Sequence, residues 1–158
     1  MKKSRFTLTQ HLDTFEAIVK ETDQRTLSVW AIDCAERVMF YFEQAFPKDP
    51  RPRDAIETLQ TWIDSGVFKM ATIRKASLES HAAAREVGED NAARSAARAA
   101  GQAVATAHVP AHAMGAALYA LQAIHRATSA ENADTAVLRE RDWQYQHLLQ
   151  LQDRQIRQ

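Results

Sequence analysis

Apolar residues recur three and four positions apart along most of the chain, which is the spacing of one face of an α-helix. Near the N-terminus, Leu8, Leu12 and Phe15 follow this spacing. The pattern predicts seven helices with approximate bounds: Thr7 or Thr9 to Lys20, Asp23 to Ala45, Pro52 to Gly66, Phe68 to Val87, Asp90 to His108, Pro110 to Thr128, and 130–155.

Capping and breaking residues mark the ends of these helices. Asp23, Asp90 and Ser129 stand where N-cap residues are preferred, and Gly66 stands where a left-handed residue commonly ends a helix. The segment FPKDPRPRD contains three prolines and cannot continue a helix. Four glycines and four prolines in 158 residues supply little turn chemistry for a β-sheet. We therefore expect an all-α fold, a single-domain bundle of about seven helices over residues 1–158.

Alanine dominates the middle of the chain, where it occupies 19 of the 47 residues from His81 to Ala127. Small side chains lose little entropy in a helix and let backbones approach closely. The stretch 99–124 carries no formal charge and is long enough to span a membrane. It also contains Gln102, Thr106 and Pro110, which favours a buried pair of helices. We predict that the helices ending near His108 and Thr128 form a central hairpin.

The charge is balanced, with 20 basic and 20 acidic residues, and no third of the chain carries a strong excess of either sign. Such a chain offers no general attraction to nucleic acid or to an anionic membrane. No apolar signal segment follows the basic start, and Cys34 is the only cysteine, so no internal disulfide can form. The expected location is the cytoplasm.

His108 and His112 are the first candidates for chemistry, because residues four apart share one side of an unbroken helix. A zinc site needs about three or four ligands, and Val109 stands where a helical metalloprotease pattern would place glutamate. Pro110 would also rotate the two rings apart. We expect no metal and no cofactor, and predict that both rings are buried and bonded, with Asp33, Glu36, Tyr41 and Tyr119 as candidate partners.

Two other groups of polar residues allow a structural and a functional interpretation. Asp33 and Arg37 lie one turn apart and could form a surface ion pair. Arg51 and Arg53 lie on the proline-rich segment, where they could tie the loop to the second predicted helix or bind an acidic partner. Cys34 lies in an apolar stripe, which favours an inert, buried thiol over a nucleophile.

Four blocks of the sequence resemble, in type and order, the helical immunity proteins of bacterial polymorphic toxin systems. They are VWAIDCAERV, DPRPRDAIETLQTWIDSG, SHAAAREV and AARSAARAAGQAVATAHVPAHAMGAALYAL, and the resemblance covers about residues 27–125. It implies an all-helical cytoplasmic protein that is not an enzyme and that binds and neutralises a cognate toxin. The positions that match the family's polar motif are Asp33, Cys34, Arg37, Arg51, Arg53, His81, Arg85, His108 and His112.

We interpret these motif residues as determinants of the fold, because a toxin-binding surface must match one particular toxin. The contact surface should lie elsewhere, on the N-terminal helix, the FPKDPRP loop or the last helix. On the last helix, Trp143 and Tyr145, flanked by Arg139 and Arg141, are candidate anchors, with packing on the bundle as their alternative role. The lack of an acidic excess makes a nuclease toxin less favoured.

Two other classes of function remain open at this point. The histidine, arginine and aspartate cluster could line a pocket of a ligand-binding or metal-binding domain or of an enzyme. The apolar helices could instead build a structural homo-oligomer.

Overall fold

A computed structural model describes the backbone of residues 1–157 and the side chains of residues 1–156. The described part contains eight α-helices and no β-strand, which confirms the predicted all-α class. A short 3₁₀ turn, Leu8–His11, precedes the first helix. The helices are α1 (Leu12–Lys20), α2 (Gln24–Glu36), α3 (Met39–Ala45), α4 (Arg51–Ser65), α5 (Met70–Glu86), α6 (Ala92–Ala105), α7 (His112–Ala127) and α8 (Ala133–Arg157).

Several helix ends form where local sequence signals predict them. The Asp23 carboxylate accepts a hydrogen bond from the Thr26 backbone N–H at 2.9 Å and so caps α2. Gly66 has a φ of 68°, the left-handed conformation expected after α4. The start of α6 differs from the prediction, because Asn91 rather than Asp90 is its N-cap. The last helix begins at Ala133, whose N–H donates to the Ser129 carbonyl, so Ser129 lies in the preceding turn.

The predicted helix from Asp23 to Ala45 is divided in the structure, which raises the number of helices from seven to eight. Val38 adopts a φ of −118° and a ψ of −3°, and its N–H bonds to Ala35 three residues back. Its side chain is fully buried. The break at Arg37 and Val38 turns α3 away from the axis of α2, so that α3 packs on α6.

The alanine-rich hairpin lies at the centre of the bundle, as predicted. Helices α6 and α7 pack on each other, and one or the other contacts each remaining helix. Most alanines of the hairpin are buried, so the two backbones approach closely. The charge-free stretch 99–124 is divided between them by the turns at 106–111. No helix in the described part of the chain has the length and apolar character needed to cross a bilayer.

Larger side chains surround this hairpin and attach the last helix. The rings of Phe15 and Trp30 meet edge to face, with centroids 5.5 Å apart. Trp30 Nε1 donates to the Gln144 carbonyl at 2.8 Å, and Gln144 Nε2 donates to the Ala117 carbonyl at 3.0 Å. These two bonds join α8 to α2 and α7. In the described part of the chain, the buried apolar residues other than Ala133 form one cluster.

Candidate functional site

Asp33 and Arg37 both bind the last helix rather than each other, so the surface ion pair that their spacing allows does not form. Arg37 donates two hydrogen bonds to the Glu140 carboxylate, at 2.7 and 3.0 Å. Asp33 Oδ2 lies 2.7 Å from His147 Nε2. Glu140 and His147 come from a segment more than one hundred residues away, a partnership that the spacing within α2 cannot reveal.

Trp143 is enclosed by these same side chains. The guanidinium carbon of Arg37 lies 3.8 Å from the centroid of its ring, a cation–π contact. The His147 ring stacks on Trp143 with centroids 4.7 Å apart. Trp143 is half-buried, and the arrangement favours its role in packing α8 on α2.

Cys34 lies fully buried beside this contact. Burial, and next the negative charge of Glu140, raise the pKa of its thiol well above the ordinary value. A thiol held in its neutral form is a poor nucleophile. The geometry agrees with the inert role expected from its apolar stripe.

Arg51 and Arg53 tie the proline-rich segment to three neighbouring helices. Arg51 donates to both oxygens of Asp49, at 2.9 and 2.7 Å, and also binds Glu86 on α5. These bonds lower the pKa of Asp49. Arg53 binds Glu36 on α2 and donates to Glu43 on α3 at 3.1 and 2.6 Å. The loop is therefore fixed to the second predicted helix, as one of the two interpretations expected.

His81 and His112 belong to a polar network between α5, α6 and α7. Arg98 Nη1 donates to His81 Nδ1 at 2.9 Å, and His112 Nδ1 lies 2.8 Å from Gln102 Oε1. His112 therefore bonds Gln102 and none of the partners predicted for it, Asp33, Glu36, Tyr41 and Tyr119. Desolvation, followed by the charge of Arg98, lowers the pKa of His81 to about 4, and desolvation also lowers the pKa of His112. Arg85 is exposed at the edge of this network.

Glycines make room for this network. A Cβ atom on Gly101 would lie 2.7 Å from His81 Nε2 and 2.9 Å from two ring carbons. A Cβ atom on Gly115 would lie 2.5 Å from Gln102 Oε1. The imidazole and the amide therefore lie directly against helix backbone.

His108 is exposed, which contradicts its predicted burial. Helix α6 ends at Ala105, so His108 lies in the turn before Pro110 and does not continue the face that contains Gly101. Its ring stacks on Phe68 with centroids 6.2 Å apart. Among the described residues, no three His, Cys, Asp or Glu side chains are grouped as a metal ion would need.

The four candidate anchors on α8 occupy different environments. Arg139 is exposed, whereas Trp143 and Tyr145 are half-buried and pack against the core. Arg141 Nη1 lies 3.5 Å from His11 Nδ1, and its Nη2 lies 3.6 Å from Asp142. Arg141 thus lies against the N-terminal segment.

The N-terminal segment covers the ends of α7 and α8. Ser4 Oγ donates to Asp134 and lies 3.2 Å from His125 Nε2. The Phe6 ring packs between His11 and His125, with centroid distances of 5.8 and 5.5 Å. This cluster was not predicted from the sequence, because its members lie more than one hundred positions apart.

Five exposed apolar side chains lie on or before the first half of α5 and in the turn after α6, and we call this surface the α5 face: Val67, Phe68, Met70, Leu78 and Val109. Two depressions of about 280 and 450 Å³ lie side by side here, and Ile73 lines both. Met70, Arg74, Leu78 and His108 line the first, and Trp62, Val67 and Lys69 line the second. Concave apolar surface of this kind is typical of a binding site.

The fold is thus an all-helical bundle in which most motif residues bind side chains outside the motif, on other helices or in the adjoining loop, and the apolar α5 face is open to solvent. A family model described as "Imm-5 like putative immunity protein" matches residues 17–151, and the chain belongs to this family. The resemblance to immunity proteins is confirmed. Searches of curated proteins and of solved structures found no match.

The family match is longer than the 27–125 expected from the sequence, and it includes most of α8. Arg139, Arg141, Trp143 and Tyr145 therefore lie inside the family region, and the expectation that the last helix falls outside it is wrong. Because these four residues lie inside the family region, their position gives no reason to assign them to the recognition of one particular toxin.

Proposed function

We propose that this chain binds a cognate bacterial toxin in the cytoplasm of the cell that makes it and neutralises the toxin by occlusion. The observation that carries this proposal is the family match over residues 17–151. The bundle would cover the active site of the toxin, or the surface that the toxin uses to reach its target. A stable interface of this kind buries on the order of 1,600 Å².

The motif arginines hold helices and loop together, which supports occlusion rather than catalysis as the way in which the toxin is neutralised. Arg37, Arg51 and Arg53 each bind carboxylates of another helix or of the adjoining loop. A frame held this way loses little conformational freedom on binding, so more of the contact energy appears as affinity.

The alternative of a ligand site or enzyme built from the histidine, arginine and aspartate cluster finds less support. The geometry divides these residues among separate places. Asp33, Cys34 and Arg37 lie at the contact of α2 with α8, whereas His81 and His112 lie between α5, α6 and α7. His108 lies on the exposed α5 face.

An immunity gene is expected to follow the gene of its toxin, so titration against the product of that neighbouring gene tests the proposal. Occlusion predicts a complex that co-purifies and toxin activity that falls in proportion to added protein, reaching zero at a fixed stoichiometry. A toxin from an unrelated system serves as the specificity control. Failure to form a complex would refute the proposal, and complete inhibition by a small fraction of an equivalent would favour an enzyme.

A further inference from the structure

We propose that the α5 face is the toxin-contacting surface and that it accepts an acidic segment of the toxin that carries apolar side chains. This inference rests on the proposed function, and it adds the surface and the chemistry of the partner. Three features of the face carry it: exposure, shape and charge.

The exposed apolar area is concentrated on this face. Val67 is 58 % exposed, Leu78 57 % and Phe68 46 %. Removing such side chains from water favours association by about 25 cal/mol per Å² of apolar surface. Phe68 makes its ring contact with the exposed His108, so a partner could cover both rings together.

The shape of the face suits a partner with two protruding anchors. The two depressions lie on either side of Ile73, which is buried and belongs to the first turn of α5. Interfaces derive most of their affinity from a few side chains inserted in such pockets.

The charge of the face indicates which partner it takes. The side chains that line the two depressions include two cations and no carboxylate, and the nearest carboxylates in the sequence, Asp64 and Glu79, lie outside both linings. Lys69 and Arg74 line the two depressions, and neither forms an ion pair within the described part of the chain. Lys75 lies 4.0 Å from Glu79 at the edge. Carboxylates on the partner would complement these cations and speed the encounter.

A second copy of this chain fits the face less well. In a two-fold symmetric dimer the same patch contacts itself. Lys69 and Arg74 would then approach their counterparts, and like charges across an interface oppose association. We therefore assign the face to the toxin rather than to self-association.

Substitutions on the α5 face test the assignment, because α8 offers an exposed leucine and an exposed arginine as controls for the apolar and the charge changes. Phe68→Ser, Leu78→Ser and the double variant Lys69→Glu with Arg74→Glu alter the face. Leu138→Ser, at a residue 44 % exposed, and Arg154→Glu, at an exposed arginine, are the controls on α8. Calorimetry gives the Kd for the toxin encoded by the neighbouring gene, thermal unfolding gives the Tm, and sedimentation gives the oligomeric state.

We expect each face variant to weaken toxin binding by at least about tenfold with little change in Tm, and the α8 controls to stay within about twofold. Binding by the wild type should weaken as NaCl rises from about 0.05 to about 0.3 M, and the double charge reversal should remove this dependence.

Each contrary result has a distinct meaning. If the wild type binds the toxin and the face variants bind equally well, the assigned surface is wrong while the proposed function stands. If only the apolar variants weaken binding, the acidic partner is wrong. If the wild type is a dimer that Leu78→Ser dissociates, the face serves self-association and the assignment is overturned. If the wild type does not bind, the proposed function fails and this inference fails with it.

Discussion

The contact of His81 with Gly101 gives the sharpest test of the packing described above. Gly101 lies inside α6, buried, and the imidazole of His81 lies against its Cα. Replacing Gly101 with alanine would place a methyl group 2.7 Å from His81 Nε2, closer than non-bonded atoms approach. Arg98 donates a hydrogen bond to His81 Nδ1, so turning the ring away would break that bond. The Ser77 hydroxyl donates to the Gly101 carbonyl at 2.9 Å, which restrains the backbone of α6 at the same point.

Two opposing effects determine how much Gly101→Ala changes the free energy of unfolding. Alanine favours a helix interior over glycine by about 1 kcal/mol. Overpacking a close contact costs about 1 to 3 kcal/mol. We expect Gly101→Ala to lower the free energy of unfolding by roughly 0 to 2 kcal/mol, and a chain of this length loses about 2 to 4 °C in Tm per kcal/mol.

A double-mutant cycle separates the two effects. In a His81→Ala background the methyl group has room, so Gly101→Ala should raise stability by up to about 1 kcal/mol, which gives a coupling energy of about 1 to 3 kcal/mol. Chemical denaturation followed by circular dichroism measures all four proteins. Gly115→Ala is the comparison: its Cβ would lie 2.5 Å from Gln102 Oε1, the end of an unbranched side chain that can rotate about several bonds once its bond to His112 breaks, so we expect a smaller cost than at Gly101. If Gly101→Ala stabilises the wild type as much as it stabilises His81→Ala, the ring does not press on the helix and the reasoning is refuted.

Three further predictions use similar measurements. Glu140→Gln should lower the free energy of unfolding by about 1 to 2 kcal/mol, because an amide cannot replace the charge-assisted bonds that Glu140 makes with Arg37. Glu79→Gln, in the exposed pair with Lys75, should lower it by less than about 0.5 kcal/mol, and equal losses would contradict this reasoning. Acidification from about pH 6.5 to about pH 4 should lower the Tm, because His81, whose folded pKa is lowered to about 4, stays neutral when folded and takes up a proton on unfolding. The fall should be shallower in His81→Gln, and equal slopes would exclude this ring as a cause. Trp143→Ala should lower the Tm by several degrees while Arg139→Ala leaves it unchanged; a loss of toxin affinity without a loss of Tm would instead support an interface on α8.

Local sequence signals predicted most of the helices and their ends, because such signals act within a few residues. Asp23 and Gly66 are examples: one bonds an N–H three positions ahead, and the other takes a left-handed backbone conformation. The alanine content predicted the central hairpin, since small side chains permit close backbone contact. The division at Val38 was missed because its cause is tertiary, the packing of α3 on α6.

Partner identities could not be predicted, because they depend on which helices meet. Asp33 was expected as a candidate partner of His108 or His112, and it binds His147 instead. His108 was expected to be buried on the assumption that α6 continues to it, and the helix ends three residues earlier. The α5 face was missed because Phe68 and Met70 at the start of a helix resemble ordinary core positions.

These contacts distinguish residues that hold the helices together from residues that form only the surface of the bundle. Arg37, Arg53 and His81 each bind a side chain of another helix, so changing one would disturb a contact between helices. Phe68 and Leu78 are exposed, so their substitution changes the surface while the core keeps its packing. A protein that must match one particular toxin needs both kinds of position, a frame that stays the same and a face that can vary. The α5 face meets the second requirement because its apolar residues and its unpaired cations lie outside the network that holds the helices together.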